Sequence, residues 1–279
     1  MTDRVRVLTY NLLSRQRADG AARQRVVARG LADLRPDVVA FQEVTNDADG
    51  DQAAQLLGPD FTVVAHPNPS ADGVGACLGS RWPVGAVDTL DLRLDPDGGL
   101  PWAAAVAVEI RAPEPLGTLL VVHHKPNWEL DREHLRERQA VAVARFVEEL
   151  VVDRAGLPVI LLGDLDAGPD AASVRFLTGR QSLAGVSVRY EDAWEAVRPG
   201  EPGHTFSPRN PLVSAGEMPL ERGRRIDHVL VRGGRHGPTL EVADCRLAFD
   251  EPVDGVWPSD HFGVLVELRR PDHPPGDWA

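Results

Sequence analysis

The sequence predicts one α/β domain, a four-layer α/β sandwich in which two stacked, mainly antiparallel β-sheets are flanked by helices. Three observations predict it. Short β-rich runs alternate with amphipathic helical stretches from end to end. Residues 158–162 are apolar throughout, the composition of a central strand buried on both faces. No internal repeat, low-complexity tract or linker divides the 279 residues, so one domain is expected over 1–279, with its core at about 5–268.

The elements follow in order. Residues 5–11 alternate as a strand, and 21–34 carry apolar side chains at helical spacing until Pro36 forbids continuation. A second strand runs over 38–41 into Gln42-Glu43. Strands separated by Pro/Gly turns are then expected at 62–65, 75–79, 86–92, 102–110 and 118–124. The longest helix is expected over 130–152, buried through Leu135, Val141, Val143, Phe146, Val147 and Leu150. Residues 196–224 are rich in Gly, Pro and Arg and read as a long loop, a kind that is usually functional or mobile. Strands return at 226–231, 242–247 and 262–268, and the tail over 271–279 is expected to fray.

Composition narrows the function classes. A hydrophobic fraction of 43% fits a globular protein with a sizeable core, and no stretch has the roughly 18 apolar residues of a membrane span. Met1-Thr2-Asp3-Arg4 leads into a strand without an apolar signal region, so the expectation is a cytoplasmic protein. Cys77 and Cys245 sit in apolar contexts and read as buried thiols. The net charge of −12 argues against coating nucleic acid through a broad basic surface, although a local groove can be basic on an acidic protein. Of 30 basic residues only Lys125 is lysine, which reads first as a compositional preference for arginine.

Polar groups able to handle metal or phosphate recur where apolar runs end. Asn11 and Glu43 end the first two strands, His123-His124 follow 119–122, and Gly163-Asp164-Leu165-Asp166 follow 159–162. Asp227 lies just inside the strand at 226–231, and Ser259-Asp260-His261 precedes the last strand. Singly, each is an ordinary turn residue or solvated strand end. Six such placements on one chain point to a site, because strand ends are where rigid backbone meets loops.

With those residues in view, the chain resembles the endonuclease/exonuclease/phosphatase (DNase I-like) superfamily, which includes abasic-site endonucleases, inositol-phosphate phosphatases, deadenylases and bacterial sphingomyelinases. The resemblance is carried in order by Thr9-Tyr10-Asn11, residues 36–43, Val122-His123-His124, Arg136 with Gln139, residues 163–166, Arg225-Ile226-Asp227 and residues 259–262. It implies Glu43 as principal ligand of Mg²⁺ or Mn²⁺, with Asn11 holding a water or phosphate oxygen and Asp260 supporting the metal or the nucleophile. It implies His261 as activator of the attacking water, oriented by Asp227. Asp164 would position the nucleophile or help protonate the leaving group, and His124 would donate to phosphate. Lys125 and Arg209 are further substrate-contact candidates, and Trp128, Arg132, Arg136 and Arg209 are the residues a nucleic-acid groove would draw on.

Two positions depart from the family pattern. Asp166 stands where the family has Asn; it either pairs with Asp164 to hold a second ion or stays protonated and donates as Asn would. His123 beside His124 leaves two imidazoles for one phosphate contact, and the spacing favours His124. The implied activity is divalent-metal-dependent hydrolysis of a phosphodiester or phosphomonoester by an activated water, using one ion or two. The substrate would be a small molecule or a nucleic acid, without membrane insertion, and the protein a monomer. The alternatives are a metal-dependent nuclease and a non-catalytic binding module that keeps the fold.

Overall fold

A computed structural model describes residues 3–95, 99–154 and 156–273 of the chain. Of the tail expected to fray, residues 274–279 lie outside the described residues. β1 (Arg4–Asn11) leads through α1 (Gly20–Leu34) to β2 (Val38–Asp47). Then come β3 (Gly50–Asp51), α2 (Gln52–Leu57), β4 (Thr62–Ala65), β5 (Val74–Ser80), β6 (Val84–Asp91), β7 (Ala104–Arg111), β8 (Thr118–Lys125), α3 (Glu133–Val151) and β9 (Val159–Asp164). The short elements α4 (Ala172–Leu177), β10 (Tyr190–Asp192), α5 (Ala193–Val197) and α6 (Pro211–Ala215) precede β11 (Asp227–Gly234), β12 (Gly237–Pro238), β13 (Glu241–Ala248) and β14 (Gly263–Arg269).

One sheet orders β13-β14-β1-β2-β5-β4 with β3 beside β2; the other orders β10-β11-β9-β8-β7-β6 with β12 beside β11. In each, one central pair is parallel, β1 with β2 and β8 with β9, and the crossover of each pair is its long helix, α1 or α3. The pairings that flank them are antiparallel. α1 starts where the Asp19 carboxylate accepts from the Ala22 amide at 3.2 Å, and it stops at Arg35, in left-handed backbone, before Pro36.

Period-two alternation sorts the strands into layers. Val5, Val7, Val38 and Ala40 meet Leu119, Val121, Ile160, Leu162, Val229 and Val231 between the sheets. Leu8, Tyr10, Val39 and Phe41 pack with Val27 and Leu31 of α1, while Leu120, Val122 and Leu161 pack with Val143, Ala144 and Val147 of α3. Truncating a buried side chain such as Leu162 to Ala would cost about 2–5 kcal/mol.

This topology locates the polar residues. The parallel central strands end, and the antiparallel β11 and β14 begin, at the same edge of the sandwich. Along the inter-sheet face the apolar series therefore gives way in register to Thr9 and Asn11 on β1, Gln42 on β2, His123 and Lys125 on β8, Asp164 on β9 and Asp227 on β11.

The 196–224 loop contains one short helix, α6. The elements absent from the sequence expectation, α2, α4, α5, α6, β3, β10 and β12, have six residues or fewer, too few for a hydrophobic period to declare itself. Among the described residues no helix is long and apolar enough to cross a membrane.

Candidate active site

Asn11 spans the two sheets. Its Nδ2 donates to Glu43 Oε1 and to Asp164 Oδ2, each at 3.1 Å, and its Oδ1 accepts from the Leu13 amide at 3.0 Å. Glu43 reaches this face through a β-bulge. The register with β5 slips between Gln42 and Val44, and Glu43 takes a left-handed backbone with φ 54°. Strict alternation would send it toward α1; the bulge re-aims it into the site at a cost of about 1–2 kcal/mol in backbone conformation. Its second carboxylate oxygen accepts from the Ser14 amide at 3.2 Å.

The 258–262 segment closes the site from the first sheet. Ser259 Oγ donates to the Asn11 carbonyl at 2.8 Å, and Asn210 Nδ2 donates to the Ser259 carbonyl at 2.6 Å. His261 Nδ1 then meets Asp227 Oδ2 at 2.9 Å. Thr205 holds Asp227 in turn, its hydroxyl accepting from the Ile226 and Asp227 amides at 3.1 and 3.2 Å. Phe206 packs its ring 4.9 Å from the imidazole.

The electrostatics divide the site in two. On one side Lys125, 3% exposed, pairs with Asp164 at 3.1 Å and with Asp166 in closer contact. Burial alone would raise Asp164, but the Lys125 charge outweighs it and holds that carboxyl at about 2. Asp166 is pushed up to about 7 by burial and by the Asp164 charge. Burial opposes a charged Lys125, and its two carboxylates reverse this and raise its pKa. On the other side Asp260 is raised by burial and by neighbouring Glu43. Burial would depress His261, yet Asp227, with Asp164 and Asp260 behind it, lifts the imidazole to about 10.

Glu43 and Asp260 suit a hard divalent cation. They form no ion pair with any lysine, arginine or histidine among the described residues, and Glu43 is bonded only by neutral N–H groups. Asp164, Asp227 and His261 also present one ligand atom each within 4.8 Å of one another, a possible carboxylate–histidine metal site. In that trio, however, His261 Nδ1 is already engaged by Asp227.

Asn11, Glu43, Lys125, Asp164, Asp166, Asp260 and His261 all line one cavity of about 470 Å³, and Asp227 stands behind His261. His123, His124 and Arg209 are placed elsewhere. His123 bonds Gln42 at 2.7 Å and meets the His66 ring edge-on, centroids 4.4 Å apart. His124 follows Leu120 and Val122 on the alternate face of β8. Burial holds both imidazoles neutral, His124 at about 3, so neither offers a cation to phosphate. Arg209 pairs with Asp250 and lies over the Phe262 ring. Arg136 and Gln139 brace the loop after β8: Arg136 donates to the Glu129 carbonyl at 2.6 Å, and Gln139 accepts from the Asn127 amide at 3.1 Å.

Sequence reasoning missed Arg23. It is buried, and its guanidinium donates to the carbonyls of Leu12, Leu13, Ser14, Arg17, Ala18 and Pro258. The available signal was its position on the apolar face of α1 beside Val26 and Val27.

The model of the endonuclease/exonuclease/phosphatase family matches residues 8–261. Human sphingomyelin phosphodiesterase 2 is 25% identical over 98% of this chain, which spans 66% of that protein's length. A crystal structure of D. rerio TDP2 complexed with single-strand DNA product superposes with a TM-score of 0.74 at 18% identity, covering 96% of this chain and 100% of that one. The human nocturnin catalytic domain with bound sulfate gives a TM-score of 0.71 at 15% identity, covering 97% and 96%.

Proposed function

The chain belongs to the endonuclease/exonuclease/phosphatase family, and from that premise we propose that it hydrolyses a small phosphoric ester with one divalent cation, Mg²⁺ or Mn²⁺, and an activated water. The observation that carries this reading is the meeting of Asn11, Glu43, Asp164, Asp260 and the His261–Asp227 pair at one edge of both sheets.

Glu43 and Asp260, with Asn11 beside them, would hold the ion, which when bound supplies positive charge to a phosphoryl oxygen. Asp227 fixes the His261 ring through Nδ1 and stabilises its charged form, leaving Nε2 for proton exchange at the cavity wall. His261 is raised by surrounding negative charge, so positive charge brought to the site lowers it toward the range where it can take a proton from water. Asp164 keeps its proton off near neutral pH and orients the Asn11 amide.

The cavity favours a compact ester over a polynucleotide. Around the carboxylates its walls are Leu13, Leu100, Trp102, Trp128, Leu212 and Met218. The arginines that a strand would need are engaged: Arg132 with Asp95, Arg209 with Asp250, Arg224 with Glu221, and Arg136 buried against backbone. The similarity to human sphingomyelin phosphodiesterase 2 points the same way, toward a phosphodiester with an apolar part. The D. rerio TDP2 complex keeps a nuclease as the second reading.

Hydrolysis of bis-p-nitrophenyl phosphate and of a single-stranded oligonucleotide, each with Mn²⁺ and then EDTA, tests the proposal. Turnover of the small ester that disappears with EDTA supports it. No turnover of either, or turnover unchanged after exhaustive metal removal, refutes it, and preference for the oligonucleotide selects the second reading.

A further inference from the structure

We propose that Lys125 is the second cation of this site: its ammonium fills the place between Asp164 and Asp166 that a second divalent ion would take. The protein then binds one ion, and a phosphate group is gripped between that ion and the lysine. The choice of phosphate as the anion rests on the phosphoester reading; the ion count does not.

Lys125 is the chain's sole lysine among 30 basic residues, so its presence runs against the composition of every other basic position. It is also nearly solvent-free, its Nζ 3.1 Å from Asp164 and in closer contact with Asp166. A guanidinium is a planar fork of five donors, whereas an ammonium is a compact point charge with three, the shape closer to a bound ion. Two donors serve the two carboxylates, and the third is left for an anion in the cavity that Lys125 lines.

The backbone is shaped to this arrangement. Asp166 adopts left-handed φ of 50°, and its amide donates to Asp164 Oδ1 at 3.1 Å. That tight turn folds both carboxylates onto one ammonium. Asp166 in place of Asn and Lys125 on the neighbouring strand thus form one unit, an added anion matched by an added cation. A divalent ion inserted beside the ammonium would meet like charge at short range in a buried setting.

Manganese alone is the first probe. Titration followed by calorimetry and electron paramagnetic resonance should give one Mn²⁺ per chain for the wild type. K125M vacates the Asp164–Asp166 place and should bind two, with a spin-coupled pair signal; K125M/D166N should return to one. Inorganic phosphate is the second probe, and its affinity for the one-ion wild type should exceed that for K125M held at one ion by at least tenfold. Two coupled ions in the wild type overturn the proposal, and that measurement stands even where K125M fails to fold. A folded K125M that still takes one ion, or phosphate affinity equal in both proteins, also overturns it. None of these readouts needs turnover, so a protein that binds as described yet hydrolyses no ester would refute the phosphoester reading alone.

Discussion

Asn11 and Asp164, 153 positions apart, meet across the gap between the sheets with Nδ2 3.1 Å from Oδ2. The same amide also holds Glu43, so one side chain couples the metal-suited carboxylates to the lysine-paired ones. Asn11→Ala removes both bonds and leaves buried Asp164 short of a donor. It should lower stability by about 1–3 kcal/mol and weaken Mn²⁺ binding in the same protein. A urea midpoint and a Mn²⁺ titration would check this; loss of stability with unchanged metal affinity would separate Asn11 from the metal.

Glu43 should carry the response to metal. A ligand bound only by the folded state at 100 times its Kd adds about 2.7 kcal/mol, so millimolar Mn²⁺ should raise the thermal midpoint of the wild type. Glu43→Gln should abolish most of that rise while leaving the metal-free midpoint within a few degrees. An equal rise in both proteins would place the ion at Asp164, Asp227 and His261 instead.

His261 and Asp227 should act as one unit. Removing a positioned general base lowers kcat by roughly 10²–10⁴, and His261→Ala should fall in that range. Asp227→Asn should lose less, because the ring remains. In the double variant the losses should overlap; if they multiply, the 2.9 Å contact has no catalytic meaning.

Much of this was legible from sequence because the strand pattern itself carries it. Asn11, Asp164 and Asp227 continue alternating apolar series, and the period-two rule puts them on the inter-sheet face. The same rule puts Lys125 there and His124, the imidazole the sequence favours for a phosphate contact, on the other face. Glu43 breaks the rule through a bulge that composition does not announce, so its aim came only from resemblance. The Lys125–Asp166 pair was hidden for another reason. Lys125 ends β8 and Asp166 lies just past the end of the adjacent parallel strand β9, 41 positions on, so the contact depends on a strand pairing that sequence spacing does not announce.

His66 predicts a pH effect away from the metal. Burial holds its imidazole at about 3 against 6.5 when free. The unfolded chain therefore takes up a proton that the native protein refuses. Stability from this group is complete above about pH 6.5 and is lost as pH falls toward 3, by up to about 1.4 kcal/mol per pH unit. His66→Gln should make the fall in urea midpoint between pH 7 and 5 shallower than in the wild type. Parallel curves would show that His66 does not stay neutral on acidification.

Arg23 should prove indispensable to the site without touching the cavity. Its guanidinium binds five carbonyls of residues 12–18 and, at 3.2 Å, that of Pro258. It thereby ties the loop bearing Ser14, a donor to Glu43, to the segment bearing Asp260 and His261. Burial lowers its pKa, partly offset by Tyr10, Asp260 and Glu43, but a guanidinium stays charged under all relevant conditions. Arg23→Met removes every one of these donors and leaves the carbonyls to find water, at a cost of several kcal/mol. Arg23→Lys keeps the charge yet supplies three donors for six acceptors, so it should recover only part of the stability. If Arg23 only glues the fold, metal affinity measured well below the melting transition should be normal in Arg23→Lys. If it sets the spacing of Glu43 and Asp260, that affinity should fall at least tenfold while circular dichroism stays native. The second outcome is the one expected, because Arg23 bonds backbone carbonyls of both segments that flank the cavity, residues 12–18 and Pro258.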